Sequence, residues 1–131
     1  MSNHIYSGNL KKKAVNYNFL KKRLDLNKKL QNKDFSKWLF QKIKVRKNEK
    51  ILDVGCGEGA QVKKFIKIIS KKGNISCLDI NQASINKLKK DIGNRENLQA
   101  VASDMRNLED IILTKFKQKQ FSLAHSSYAL Y

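Results

Sequence analysis

The sequence predicts an α/β fold, a parallel sheet with helices on both faces that is incomplete at about four strands. Three observations predict it. Short apolar runs alternate with segments of helical periodicity from Ile51 onward, glycines punctuate the alternation, and acidic residues stand where the runs end. Alternation of this kind is what parallel strands joined by right-handed crossovers require.

Residues 1–33 form a separate, basic N-terminal arm. Apolar side chains such as Tyr17, Leu24 and Leu30 are scattered through it without a lasting stripe, so one helix of uncertain limits is expected. From 34 the pattern sharpens, and 34–131 is read as one domain. Phe35, Trp38, Leu39 and Ile43 recur at helical spacing, with Asn32 or Asp34 as cap, and this face, Trp38 included, is expected to pack on the core.

Ile51 to Val54 is the first strand, bounded by the glycines at 55, 57 and 59. Gln61 to Lys72 then places Val62, Phe65, Ile66 and Ile69 on one side of a helix that Gly73-Asn74 is expected to cap. Ile75 to Ile80 is the second strand. Asn81 is a suitable N-cap for a helix whose apolar face is Ala83, Ile85, Leu88 and Ile92, stopped at Gly93. Leu98 to Ala102 is the third strand. Leu108, Ile111, Ile112 and Phe116 mark a helix over 107–119, and Phe121 to His125 is the fourth strand.

Composition bounds the function. Apolar residues make up 40% of 131 and fall in runs that disordered chains seldom sustain, so a folded domain is expected. The formal charge of +17 would suit nucleic acid, yet the excess is nearly all Lys. Arg, the better bidentate ligand for phosphates and bases, stands only at 23, 46, 95 and 106, so a compositional origin is preferred. Cys56 and Cys77 lack metal-site spacing and are expected to be reduced structural thiols, with no metal bound. The N-terminus has no secretion-type apolar stretch, and no run nears the ~20 apolar residues of a membrane span, which leaves the cytoplasm.

In open parallel sheets, ligands bind beyond the carboxyl ends of the strands, where strand order reverses. Asp53-Val-Gly55-Cys-Gly57-Glu-Gly59-Ala60 lies on the first such turn, where missing side chains let the backbone approach a ligand closely. Asp79 ends the second strand, a placement that suits a carboxylate accepting from ribose hydroxyls. Asp104 follows the third. Alone, the glycine spacing fits a nicotinamide dehydrogenase equally well, but Asp53 would repel a pyrophosphate. A sulfonium nucleoside with an amino group would be attracted.

ILDVGCGEGA resembles motif I of the class I, Rossmann-like S-adenosylmethionine-dependent methyltransferases, and LDI and SDM resemble the next two motifs. The resemblance covers residues 35–131, the N-terminal half of that fold. It implies S-adenosyl-L-methionine as cofactor, with Asp53, Gly55, Gly57 and Gly59 around its methionine portion and Asp79 on the ribose. Ile80 would pack on the adenine, Asp104 would accept from the adenine amino group, and Met105 would line the ring pocket. Asp104 capping the next helix is the alternative. Tyr17 is a faint match to an aromatic that closes the site.

The stretch after the fourth strand, His125 to Tyr131, lacks the Pro-Pro signature of amino-directed DNA enzymes, so a small-molecule acceptor with an O or N atom is expected. RNA methylation, or a non-catalytic module completed by a partner, are the alternatives. No catalytic residue is assigned, and His125 is expected to be structural. The family fold has seven strands against four counted here. A fragment is therefore the preferred explanation, with the exposed fourth strand free to self-associate.

Overall fold

The computed structural model describes residues 18, 21, 22, 25, 26 and 35–126. Tyr17, the proposed caps Asn32 and Asp34, and Tyr128 to Tyr131 lie outside them. The elements run α1 (Phe35–Lys42), β1 (Lys50–Val54), α2 (Ala60–Phe65), β2 (Asn74–Asp79), α3 (Gln82–Ile92), β3 (Leu98–Ala102), a 3-10 turn (Met105–Asn107), α4 (Leu108–Thr114) and β4 (Leu123–His125). All four strands pair in parallel in the order β3-β2-β1-β4. Strand order thus reverses at β1. Ser122 ties β4 to the start of β1, its N–H donating to Lys50 O at 2.9 Å and its hydroxyl accepting from Lys50 N at 2.9 Å.

Strand side chains alternate between faces, and the two faces carry two cores. On one, Ile51, Ile75, Cys77 and Ala100 pack with Val62 and Phe65 of α2 and Ile85 and Leu88 of α3. On the other, Leu52 and Leu78 pack with Ile111 of α4 and with Phe116. Helices on both faces follow from this division, as expected.

Local differences have physical reasons. The α1 face is rotated: Phe40 and Ile43 pack on the core, with the Phe40 ring centroid 6.2 Å from that of Phe65, while Trp38 is 46% exposed. Core packing by Trp38 is therefore corrected. Helix α2 stops at Phe65 rather than Lys72: Lys67 N and Ile68 N donate three residues back, to Lys64 O and Phe65 O, and the Ser70 N–H then donates away from the helix, to Lys47 O at 2.7 Å. Val62, Phe65, Ile66 and Ile69 are all buried nonetheless. Gly73 is not a helix cap; a Cβ there would come within 2.8 Å of Lys47 O, so it is a point of close backbone approach. On α3, Ala83 is exposed and Ser84 takes its place inside. Asn81 does cap that helix, accepting from Ser84 N at 3.1 Å, and Gly93 ends it at φ 82°. Helix α4 is shorter than periodicity suggests, ending at Thr114, yet Phe116 just beyond is 1% exposed.

Candidate functional site

The site is built where β1 and β2 end. Strand β1 delivers Asp53, which is 1% exposed and stands in register with Cys77 of β2 and His125 of β4. Two residues beyond Cys77, and so on the same face, β2 ends in Asp79. The two carboxylates are close enough for the charge of Asp79 to raise the Asp53 carboxyl. Burial is the larger cause of that rise, and the hydrogen bond and charge of His125 oppose it.

Between the acids the chain turns through Gly55, Gly57 and Gly59 at φ 74°, 58° and 84°, a left-handed backbone that a side chain would strain. Gly55 N and Cys56 N both donate to Leu78 O, at 2.8 and 3.0 Å, lacing the turn to β2. Gly57 N donates to Asp79 Oδ2 at 2.9 Å, and Asn81 N donates to Asp79 Oδ1 at 2.8 Å. Asp79 is thereby the clasp of the turn as well as its neighbour.

The glycines differ in what surrounds them. A Cβ on Gly59 would lie 2.2 Å from Leu88 Cδ1, so this residue is small to let α3 pack. A Cβ on Gly57 would meet nothing within 4 Å. Open space at the tip of a turn flanked by two acids is room for a ligand with a cationic end, and the residues present fit such a group.

Around this centre the remaining expected residues are less uniform. Ile80, directly after β2, is 38% exposed and thus available as an apolar surface. Asp104 follows β3, next to β2, and Ser103 N donates to Asp79 O at 2.9 Å. The Asp104 carboxylate accepts from Arg106 N at 2.9 Å and pairs with the Arg106 guanidinium at 2.6 Å, so the capping alternative is realised. Met105 packs against the Leu52 and Leu78 core on the opposite face from Asp53. Cys56 and Cys77 are free thiols, and the Cys77 thiol together with burial holds the Cys56 thiol well above the usual thiol range.

Sequence reasoning missed two participants. Asn81 is more than a helix cap, since its N–H holds Asp79. His125 is the partner of Asp53, with Nδ1 2.9 Å from Oδ1. Only the β1–β4 register reveals this pairing, because the two residues are far apart in sequence.

The family model described as "Methyltransferase domain" matches residues 51–131. The chain belongs to the methyltransferase-domain family. Solved structures share the fold at low identity. Fibrillarin of Aeropyrum pernix, solved with natively bound S-adenosyl-L-methionine, matches at TM-score 0.59 and 18% identity over 72% of this chain and 41% of its own. Phosphoethanolamine N-methyltransferase 1 of Haemonchus contortus, solved with phosphoethanolamine and S-adenosylhomocysteine, matches at 0.54 and 13% over 70% of this chain and 18% of its own. A TehB-like methyltransferase of Corynebacterium glutamicum matches at 0.53 and 20% over 84% and 53%. No curated protein matches the sequence. The methyltransferase domain described here therefore spans about half or less of the solved chains it resembles, and its fold is the Rossmann-like, incomplete sheet of class I members. Among the described residues no helix is long and apolar enough to cross a membrane.

Proposed function

We propose that this methyltransferase domain binds S-adenosyl-L-methionine at the tips of β1 and β2 and serves methyl transfer to an O or N atom of a small-molecule acceptor. The observation that carries the reading is the pair of buried acids, Asp53 and Asp79, on either side of a left-handed glycine turn with open space at Gly57. The charge of Asp79 raises the cost of ionising Asp53, a cost that a ligand bearing positive charge relieves and a phosphate would aggravate. When bound, the cofactor supplies a methyl group on a positively charged sulfur.

In this reading Asp53 and the backbone of Gly55, Gly57 and Gly59 hold the methionine end, and Asp79 takes the ribose hydroxyls on the lone pairs its two main-chain donors leave. Ile80 covers one side of the adenine. Asp104 and Met105 complete the adenine end, with Asp104 sharing its carboxylate between Arg106 and the ring. Methyl transfer needs alignment and exclusion of water more than a dedicated base, so no catalytic residue is assigned. Titration calorimetry with S-adenosylhomocysteine tests the reading. Binding by the native chain, weakened at least tenfold in Asp53→Ala and Asp79→Ala, is expected; a folded chain that does not bind refutes it.

A second reading, RNA as acceptor, is favoured by the net charge of +17. Gel-shift at low salt separates the two, since a phosphate-binding surface retards RNA there and releases it as salt rises.

A further inference from the structure

His125 is a buried polar side chain that the proposed function leaves unused. It ends β4, is 8% exposed, and stands beside Asp53 in the sheet with Nδ1 2.9 Å from Oδ1. Its ring meets Phe65 edge-on, with centroids 5.7 Å apart at 82°. Nε2 is buried and has no hydrogen-bond partner among the described residues. An orphaned ring nitrogen is a cost that leucine would not carry in the same apolar setting, so packing alone does not account for an imidazole here. What the imidazole supplies and leucine cannot is a donor at Asp53.

We infer that His125 is a positioning residue, fixing Oδ1 of Asp53 so that the carboxylate is held for the cationic end of the cofactor through Oδ2. The inference rests on the S-adenosylmethionine reading of Asp53. In this arrangement Nδ1–H donates to Oδ1 of Asp53, while Nε2 stays buried in the apolar surroundings. The groups facing Asp53 are few. Cys77 lies beside it on β2, Cys56 is in the turn, Asp79 ends β2, and Phe65 of α2 closes the apolar side against the imidazole. Burial and Asp79 both favour a protonated Asp53, and His125 is the neighbour that opposes them.

The test is calorimetry of the full chain with S-adenosylhomocysteine across about pH 5 to 8, with thermal unfolding measured alongside. Native affinity is expected to rise with pH as Asp53 ionises. His125→Leu should weaken binding at neutral pH about 10- to 100-fold and move the acid limb to higher pH. His125→Asn, whose amide N–H can replace the Nδ1 donor, should recover most of the affinity. A merely structural role would lower the unfolding temperature in both variants without moving the limb. Native-like affinity and pH profile in His125→Leu would overturn the inference while leaving the cofactor reading standing; absence of binding by the native chain removes both. Nitrogen NMR of the native imidazole gives an answer even if the variants do not fold. The inference requires the Nδ1–H tautomer, and finding the proton on Nε2 with Nδ1 accepting from Asp53 overturns it.

Discussion

The Gly57 N–H donates to Asp79 Oδ2 at 2.9 Å, so the glycine turn after β1 is shaped by the carboxylate that ends β2. Because Asn81 N takes the other oxygen at 2.8 Å, one side chain fixes the backbone beyond both β1 and β2. Asp79→Ala would strand two main-chain donors. An expected loss is about 1–3 kcal/mol for each donor left buried and unpaired, read by denaturant unfolding, together with at least tenfold weaker S-adenosylhomocysteine binding. Asp79→Asn keeps one acceptor and is expected to fall between.

Gly57 and Gly59 share a left-handed backbone but have different surroundings, and their alanine variants should separate fold from function. Gly59→Ala drives a methyl group into Leu88, 2.2 Å from Cδ1, on top of the strain at φ 84°. Overpacking and backbone strain of about 1–3 kcal/mol each are expected to show as a clear drop in unfolding temperature. Gly57→Ala meets open space, so it carries about 1–2 kcal/mol of backbone strain alone and remains folded. Its methyl group occupies the space proposed for the ligand, and calorimetry should find cofactor binding lost.

Much of this was legible in the sequence, and the limits are instructive. Strands β1 to β3 and the N-cap Asn81 fall where periodicity and turn chemistry put them, because short apolar runs between glycines leave few alternatives. Helix ends were less readable. At Ser70 the helical pattern continues through Ile69, but a donor–acceptor match with Lys47 O takes over the backbone, and nothing in local periodicity records it. Trp38 errs in the same way, since spacing shows that a stripe exists without showing which edge of it meets the core. In the site, Asp53, the glycines and Asp79 come together as the motif implies. The partnership with His125 depends on which strand lies beside β1, a fact of topology that spacing does not hold.

Asp104 offers a discriminating substitution. Its carboxylate both caps the 3-10 turn, accepting from Arg106 N, and pairs with the Arg106 guanidinium. Asp104→Ser retains a capping oxygen and removes the second acceptor. Stability within about 0.5 kcal/mol of the native chain is expected, with cofactor binding weakened several-fold if the adenine amino group is a second client of the carboxylate. Unchanged affinity would leave Asp104 as a cap alone.

The pH dependence of stability isolates Asp53. Burial, the largest cause, raises its folded carboxyl above the unfolded value near 3.9. The native chain therefore holds this proton more tightly than the unfolded chain does. Stability from this source is complete below the unfolded value and is lost as pH rises through the folded one. Asp53→Asn carries no such proton, and its amide oxygen can still accept from His125 Nδ1. Denaturant unfolding at a series of pH values should show the native chain losing stability over that window relative to the variant, the contributions of the other carboxyls being common to both. By neutral pH the variant is expected to be the more stable protein by an amount on the order of 1 kcal/mol. It should also bind S-adenosylhomocysteine at least tenfold more weakly, because an ionised acid kept in a buried place at a cost to folding is then exchanged for a neutral one that cannot hold a cation. A native chain whose stability rises through the same window, relative to Asp53→Asn, would mean that the carboxylate is stabilised by its surroundings and not strained by them.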